Sequence, residues 1–350
     1  MWCDRPFSTQ ARSIVAAYDP TIPVQTIVAG KFRRYHHLTV WQQLTWPSLM
    51  LKNFRDLFLV GVGFIQSFFK LLVWHPDVVF TKGGYVCLPV GIAAHLLRIP
   101  LVIHDSDAHP GLTNRILSRW ATKIATGAPL EYYSYDPARS TYVGIPIAAQ
   151  FTPFTPEEQV SAKEEWGVVT DRPLIVATGG GLGAGRINLT VANSLAALQE
   201  LGSVVLVAGA GQYDELRAEL PADSENFQLY PFVSNMHRLL GAADVVITRA
   251  GATTILELAA LRKPTILVPN AKLTGGHQLK NAAVYDKAHA VKVVDEEEML
   301  KYPALLVEAV GDVLTHPEQS REMAERFHAF SKPNAAKDMA SLIISARRTV

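Results

Sequence analysis

Residues 249–257 place a turn, two hydroxyl side chains and a carboxylate in an order that suits a nucleoside diphosphate. Residues 249–251 form the turn, Thr253 and Thr254 are predicted to cap a helix, and Glu257 lies one helical turn further on. N–H groups at a helix N-terminus favour phosphate, and a carboxylate beyond them can accept hydrogen bonds from two ribose hydroxyls. We therefore predict a nucleoside diphosphate site. An exposed glutamate on an amphipathic helix is the alternative for Glu257.

Two other loops carry groups suited to the same ligand. The glycine-rich turn GGGLGAGR at 179–186 lets the backbone approach a ligand and directs a helix N-terminus at it. It lacks the Lys-Ser/Thr pair of a P-loop and the spacing of a dinucleotide fingerprint, so a plain strand-to-helix turn is the alternative. His277, Gln278 and Asn281 come where a long loop enters a helix, and amides both donate and accept hydrogen bonds with a sugar. Helix capping is the alternative for these three.

A third loop concentrates ionisable side chains at the end of a predicted strand, where His104, Asp105, Asp107 and His109 follow one another closely. His104, Asp105 and Asp107 are the candidates for a general base, with roles in the turn or in capping as the alternative. The cluster is a poor zinc site because no further group of ligands is patterned around it. Neither a Gly-x-Ser-x-Gly nucleophile elbow nor a nucleic-acid-binding module occurs.

Alternating β-branched runs and helical segments position these loops. Such alternation gives parallel sheets covered by helices, and ligands then bind beyond the carboxyl ends of the strands. The pattern occurs twice, so we predict an α/β fold with two domains, 1–148 and 149–330, with a proline-containing linker at 149–158. The acidic run 295–298 is predicted to be a solvated helix start. The predicted strands include 77–81, 101–104, 123–125, 174–178, 204–208, 245–247 and 265–268.

The composition describes a globular protein. Of 350 residues, 49% are apolar, and the net charge of +1 argues against a strongly polyanionic partner. The apolar stretch 57–69 is shorter than the roughly 20 residues that span a bilayer, so we predict a buried or interfacial helix. Residues 21–55 carry basic and tryptophan side chains without an acid, which favours contact with an anionic membrane; a solvated loop is the alternative. These side chains are Lys31, Arg33, Arg34, Lys52, Arg55, Trp41 and Trp46.

Several longer motifs point to one family. They are, in order, DVVFTKGGYVCLPVGIAA, IPLVIHDSDAHPGLTNR, YVGIPI, TGGGLGA, PFVSNMHRLLGAADVVITRAGATTILELAALRKPTILVP and GGHQLKNA. Together they resemble the MurG family of peptidoglycan N-acetylglucosaminyltransferases. The resemblance implies a GT-B fold, in which two Rossmann-like domains face a cleft and a last helix, 331–350, returns to the first domain.

The resemblance also implies an activity and its partners. The reaction would be inverting transfer of GlcNAc from UDP-GlcNAc to the 4-hydroxyl of MurNAc in lipid I, giving lipid II. The enzyme would work as a peripheral protein on the cytoplasmic face of the cell membrane. No metal or other cofactor is demanded, and no nucleic acid is implied as a partner.

Site roles follow from the resemblance residue by residue. Glu257 would bind the uridine ribose, and Phe232 and Val233 would pack at the uracil. GlcNAc hydroxyls would meet His277 and Gln278, with Asn281 nearby. Nucleotide and phosphates would be flanked by Gly180, Gly181, Gly183, Arg249, Ala252, Thr253 and Thr254. The acceptor side would be lined by Gly83, Gly84, Tyr85 and the loop 104–114, which ends at Asn114.

The chain also departs from the family. The family's first strand and its GGTGGH loop, which supplies acceptor contacts and a candidate catalytic histidine, have no counterpart here, so the first sheet should lack its central strand. Gly181 replaces a serine, Ile145 an asparagine and Ala148 an arginine. The usual HEQN loop reads HDSD. Donor binding is therefore better supported than turnover. The alternatives are another UDP-sugar enzyme, such as a glycolipid glycosyltransferase or an epimerase, and a UDP-sugar-binding protein without turnover.

Overall fold

The computed structural model describes residues 1–31, 47–180, 184–271 and 276–347. The chain divides into two compact units: the first comprises Met1–Val143 with Lys337–Val350, and the second comprises Gly144–Ala336. Each unit is built from parallel strands connected by helices. Each strand predicted above is present, with ends that differ by no more than two residues.

The first unit carries two separate parallel sheets. One has the strand order β1-β2 and the other the order β3-β4-β5-β6. Short 3-10 turns at Leu130–Tyr132 and Pro137–Arg139 precede β6. In chain order the elements are β1 Trp2–Cys3, α1 Ser8–Ala16, β2 Gln25–Thr26, α2 Pro47–Trp74, β3 Val79–Thr81, α3 Cys87–Leu96, β4 Leu101–Asp105, α4 Leu112–Leu117, β5 Lys123–Thr126 and β6 Ser140–Tyr142; the last helix of the chain, Ala335–Ser345, also reaches this unit.

The second unit has a single six-stranded sheet with the order β12-β11-β10-β7-β8-β9. Its strands are β7 Leu174–Thr178, β8 Ser203–Val207, β9 Phe227–Tyr230, β10 Val245–Thr248, β11 Thr265–Leu267 and β12 Lys292–Val293. Its helices are α5 Pro156–Glu165, α6 Gly185–Asn193, α7 Leu195–Leu201, α8 Ala210–Glu219, α9 Met236–Ala242, α10 Ala252–Ala260, α11 His277–Lys287, α12 Glu296–Lys301, α13 Ala304–Thr315 and α14 Pro317–His328. Every residue of β7, β8 and β10 is buried, because helices cover both faces of a parallel sheet.

A central strand distinguishes the two units. In the second unit β7 joins the pair β8–β9 to the series β10–β12. The first unit also has a strand pair and a separate series, but no strand among its described residues joins them. This topology agrees with the departure noted in the sequence.

The predicted linker and one predicted helix need correction. Residues 149–158 are not a linker throughout, because α5 begins at Pro156 with a capping box in which Thr155 and Glu158 bond to each other's backbone N–H. Proline is compatible with the first turn of a helix, where its missing N–H is not needed. The helix predicted to follow the glycine-rich turn is divided at Ser194 into α6 and α7.

The apolar stretch 57–69 belongs to a much longer helix than expected. α2 has 28 residues, and its part Leu49–Trp74 is long and apolar enough to cross a membrane by length and composition. The expectation that this segment is too short was therefore wrong. One face is packed: Val60 and Leu71 join the buried core of the first unit, and α2 lies against α3.

The opposite face of α2 is apolar and exposed. Its side chains recur at helical spacing, and Phe54 and Phe58 are 72% and 69% exposed. The members of this exposed face are Leu51, Phe54, Leu57, Phe58, Ile65 and Phe69. Arg33, Arg34, Trp41 and Trp46 of the predicted membrane contact lie outside the described residues.

Candidate functional site

The donor-side residues gather where the strand order of the second sheet reverses. β7 and β10 are hydrogen-bonded neighbours, with Thr178 opposite Thr248 at their carboxyl ends. From this pair the chain winds outward in both directions. Such a switch point is where open α/β sheets bind ligands. Thr178 leads into the glycine-rich turn and Thr248 into the turn 249–251, so both predicted phosphate-binding turns begin at one edge of the sheet.

Gly180 brings the two turns into contact. A Cβ atom at this glycine would lie 3.5 Å from Oγ1 of Thr254, and the residue has a φ of +69°. That conformation favours glycine. Gly181 and Gly183 lie outside the described residues, so their predicted roles are not tested.

The N-terminus of α10 has an open first turn. Gly251 is the N-cap, and no side chain caps it within the described structure. The prediction that Thr253 and Thr254 cap this helix was therefore wrong; both lie inside it, Thr253 exposed and Thr254 half-buried. First-turn N–H groups have no intrahelical acceptor, so those of Ala252 and the two threonines can serve an anion.

Glu257 is a half-buried carboxylate one turn into α10. Its neighbours Leu256 and Leu258 are buried, and burial raises the pKa of its carboxyl. Within the described residues the side chain has no hydrogen-bond or ion-pair partner. A desolvated carboxylate is stabilised by donors, and ribose hydroxyls are donors of the kind that this position lacks.

The loop before α11 is fixed by its own amides. Oε1 of Gln278 accepts a hydrogen bond from the backbone N–H of Asn270 at 2.8 Å. Asn281 is buried, and its Nδ2 donates to the carbonyl of Ala250 at 3.1 Å. Asn281 therefore holds the 249–251 turn in place. His277 is half-buried in the first turn of the helix, beside Gln278.

The two residues expected at the uracil differ in exposure. Phe232 is 74% exposed, whereas Val233 is 5% exposed. A ligand base could stack on the phenyl ring, since that ring is not packed into the unit's core.

Arg249 is an anchored cation and not a mobile one. Its side chain is buried, and Nη1 donates to the carbonyl of Val268 at 3.0 Å and lies 2.5 Å from Oε1 of Glu296. Glu296 is 1% exposed, so the prediction that 295–298 is a solvated helix start was wrong for this residue. The sequence carries one signal of this burial: Glu296 precedes the buried Met299 by three positions and shares its helix face.

On the acceptor side, Gly83 and Asn114 lie together. Gly83 and Gly84 both have φ near +80°, and a Cβ at Gly83 would lie 3.0 Å from Nδ2 of Asn114. Asn114 in turn donates to the carbonyl of His104 at 2.9 Å. Tyr85 is part-buried and donates its hydroxyl to Asp4. The loop 104–114, which is predicted to line the acceptor side, thus lies against the 83–84 turn through Asn114.

The three candidate bases have different surroundings. His104 is buried at the end of β4. Asp105 is buried too, and accepts hydrogen bonds from Asn114 Nδ2 at 2.8 Å and from the hydroxyl of Tyr135. Burial raises the pKa of its carboxyl, opposed by these bonds. Asp105 therefore anchors the loop, and the half-buried Asp107 is the better placed of the two carboxylates to reach a substrate.

Comparison with known proteins places the chain in a family. Residues 18–126 match the N-terminal domain of glycosyltransferase family 28, and residues 174–339 match its C-terminal domain. A UDP-N-acetylglucosamine–N-acetylmuramyl-(pentapeptide) pyrophosphoryl-undecaprenol N-acetylglucosamine transferase of Clostridium kluyveri is 34% identical over 82% of this chain and 76% of the relative. One with the same name from Exiguobacterium is 34% identical over 85% of this chain and 81% of the relative. The chain belongs to the MurG family.

Solved structures agree with this assignment. The crystal structure of Acinetobacter baumannii MurG has a TM-score of 0.72 and 25% identity, covering 95% of this chain and 88% of that one. A UDP-GlcNAc 2-epimerase from Neisseria meningitidis has a TM-score of 0.61 at 14% identity, covering 98% of both chains; this likeness shows the fold alone. The GT-B fold expected from the MurG resemblance is confirmed.

Proposed function

We propose that this protein transfers GlcNAc from UDP-GlcNAc to the 4-hydroxyl of MurNAc in lipid I, forming lipid II with inversion at the sugar's anomeric carbon. Family membership supports the reaction class, since the relatives carry this activity in their names. The observation that carries the donor assignment is Glu257, a half-buried carboxylate one turn into α10, the helix that follows β10 at the switch point of the second sheet.

Donor binding uses fixed backbone dipoles and one acid. The first-turn N–H groups of α10, with those of the turn after β7, meet the diphosphate. Glu257 accepts hydrogen bonds from the ribose hydroxyls. When the bond between the sugar and the diphosphate breaks, the same helix ends stabilise the negative charge on the departing UDP.

The acceptor hydroxyl needs a base. Its oxygen attacks the anomeric carbon of GlcNAc, the carbon–oxygen bond to UDP breaks, and the hydroxyl proton passes to a carboxylate. Asp107 is our candidate for that carboxylate, because Asp105 is committed to Asn114 and Tyr135.

Membrane contact supplies the lipid-linked acceptor. The exposed apolar face of α2 can enter the headgroup region of a bilayer as an interfacial helix does. We therefore place the enzyme as a peripheral protein at the cytoplasmic face of the cell membrane.

Replacing Glu257 tests the donor site. We expect Glu257→Ala to weaken UDP-GlcNAc binding by roughly 10–100-fold, because two hydrogen bonds to a charged acceptor are lost. Calorimetric titration with UDP-GlcNAc measures this. Glu225→Ala, which removes an exposed glutamate elsewhere in the second unit, is the matched control and should bind as the wild type does.

Product analysis tests the reaction. The wild-type protein with UDP-GlcNAc and lipid I in anionic vesicles should yield lipid II. Donor binding without lipid II would indicate a UDP-sugar-binding protein. Conversion of the donor to an epimer without acceptor, or glycosylation of another lipid, would favour the other enzyme classes and refute the proposal.

A further inference from the structure

The buried carboxylate of Glu296 connects the first turn of α6 with the turn before α10. Nη1 of Arg186 donates a hydrogen bond to Oε2 of Glu296 at 2.7 Å. Oε1 of Glu296 lies 2.5 Å from Nη1 of Arg249. Since Arg249 also donates to the carbonyl of Val268, its guanidinium is held from two sides. One carboxylate therefore holds two arginines that are far apart in sequence.

The two arginines belong to the two halves of the donor site. Arg186 lies in the first turn of α6, directly after the glycine-rich turn. Arg249 follows the last residue of β10 and opens the turn that leads into α10. Glu296 comes from a third segment, the start of α12. Its own side chain is only 1% exposed, so any effect on a ligand passes through the arginines.

Stability alone does not explain a buried acid here. Removing a carboxylate from water is costly, and an apolar residue of similar volume often serves a buried position as well or better. The side chain of Glu296 shares its helix face with Met299, which is fully buried among apolar neighbours. The acid at this position is therefore explained by its ion pairs with Arg186 and Arg249.

We propose that Glu296 is a positioning residue for the nucleotide donor. It fixes the first turn of α6 against the turn before α10, so that both helix N-termini meet one diphosphate. This proposal rests on the proposed function, because it requires UDP-GlcNAc to bind at these turns.

The test is Glu296→Gln, which keeps the shape of the side chain and removes its charge. We expect Kd for UDP-GlcNAc to rise roughly tenfold, as for the loss of one good interaction. The KM for UDP-GlcNAc should rise with it, while the KM for lipid I stays the same. Glu297→Gln, an exposed neighbour in the same first turn, makes the same change in net charge and should bind normally.

The direction in which Kd for UDP-GlcNAc changes distinguishes a positioning role of Glu296 from a simple effect of its charge. Glu296→Gln leaves an extra positive charge near an anionic ligand, which by Coulomb attraction alone would tighten UDP binding. Unchanged or tighter binding, or a lower melting temperature with unchanged Kd, would overturn the proposal. A wild-type protein that binds no UDP-GlcNAc would instead refute the proposed function.

A second variant covers the case in which Glu296→Gln does not fold. Arg186→Gln removes only the partly exposed arm of the cluster and should also weaken donor binding. If both variants fold, the double variant should bind about as poorly as Glu296→Gln alone, because the two changes break one connection. Independent, additive losses would contradict a connection through Arg186.

Discussion

At the residue scale, hydrogen-bond partners decide which buried acids can act on a ligand. Asp105 and Glu257 both have a carboxyl pKa raised by burial. Asp105 is already bonded to Asn114 and Tyr135, whereas Glu257 has no such partner in the described part of the chain. The first is therefore a structural anchor, and the second is the one that we propose as an acceptor for a ligand.

Sequence patterns singled out Glu257 as a candidate and missed the burial of Glu296 for one physical reason. Glu257 belongs to a local pattern, a turn and a helix start within ten residues, so its neighbours in sequence indicate its chemistry. Glu296 is buried only because Arg186 and Arg249 come to it from other segments. A run of acidic residues, considered alone, predicts exposure to solvent. The ion pairs that accompany the burial of Glu296 come from residues distant in sequence, so the local pattern does not indicate them.

Lys263 should make stability depend on pH in the alkaline range. Burial lowers the pKa of its ammonium from 10.5 to about 8. Between these values the unfolded chain holds a proton that the folded chain has released, so this lysine makes folding more favourable as pH rises from about 8 towards 10.5. Below pH 8 both states are protonated and the contribution is constant.

Denaturant unfolding at pH 7.5 and 9.5 measures this effect. The wild type should gain about 2 kcal/mol over Lys263→Met between these two pH values. Comparing the two proteins cancels the other groups that titrate in this range. Lys337→Met, which removes an exposed lysine, should behave as the wild type. Parallel curves for the wild type and Lys263→Met would show that the lysine is not perturbed.

At the element scale, the sequence predicted strands better than helix ends. A strand buried on both faces has a short β-branched run in its sequence, as in Leu174–Thr178, whose predicted bounds match the structure. Helix ends depend on weaker signals. Pro156 was taken as part of a linker although proline also starts helices. α2 was cut short because its first three turns carry Lys52, Arg55 and Asp56, which interrupt the apolar pattern.

The exposed apolar face of α2 should bind membranes. Phe58→Ser combined with Ile65→Ser removes two side chains that are 69% and 56% exposed, so folding should be little affected. We expect association with anionic vesicles to fall tenfold or more, because each side chain contributes about 1–2 kcal/mol on entering an apolar phase. Vesicle sedimentation measures the change.

Tyr302→Ser supplies the control for that experiment. Tyr302 is 62% exposed in the second unit, and its loss should leave sedimentation unchanged. The α2 double variant should still bind UDP-GlcNAc as the wild type does. Equal sedimentation of all three proteins would show that this face does not contact lipid.

At the scale of the whole molecule, the two units should respond differently to the donor. All residues to which we assign donor binding lie in Gly144–Ala336. A ligand stabilises what it binds, by about 2.7 kcal/mol at a hundredfold excess over Kd. In scanning calorimetry, UDP should therefore raise the unfolding temperature of the second unit and leave that of the first unchanged. Glu257→Ala should reduce the shift, because the variant binds the donor more weakly, and an equal shift of both transitions would contradict the prediction.

The sequence predicted the architecture of the second unit more fully than that of the first. Each strand of the second unit is followed by a helix, and its sheet has a central strand. The first unit begins with strands of two residues each, Trp2–Cys3 and Gln25–Thr26. The strand Trp2–Cys3 was not predicted, because so short a run has no periodicity.

The tethering of Arg249 and Arg186 by Glu296 bears on how the donor's charge is met. The diphosphate would be held chiefly by hydrogen bonds from backbone N–H groups at the two helix N-termini. Counterions in solution screen such contacts far less than they screen exposed cations. Donor affinity should accordingly change little with ionic strength, whereas attachment through Lys52, Arg55 and the face of α2 to anionic lipid should weaken as salt is added. Added salt would thus release the enzyme from the anionic membrane while the nucleotide donor stays bound.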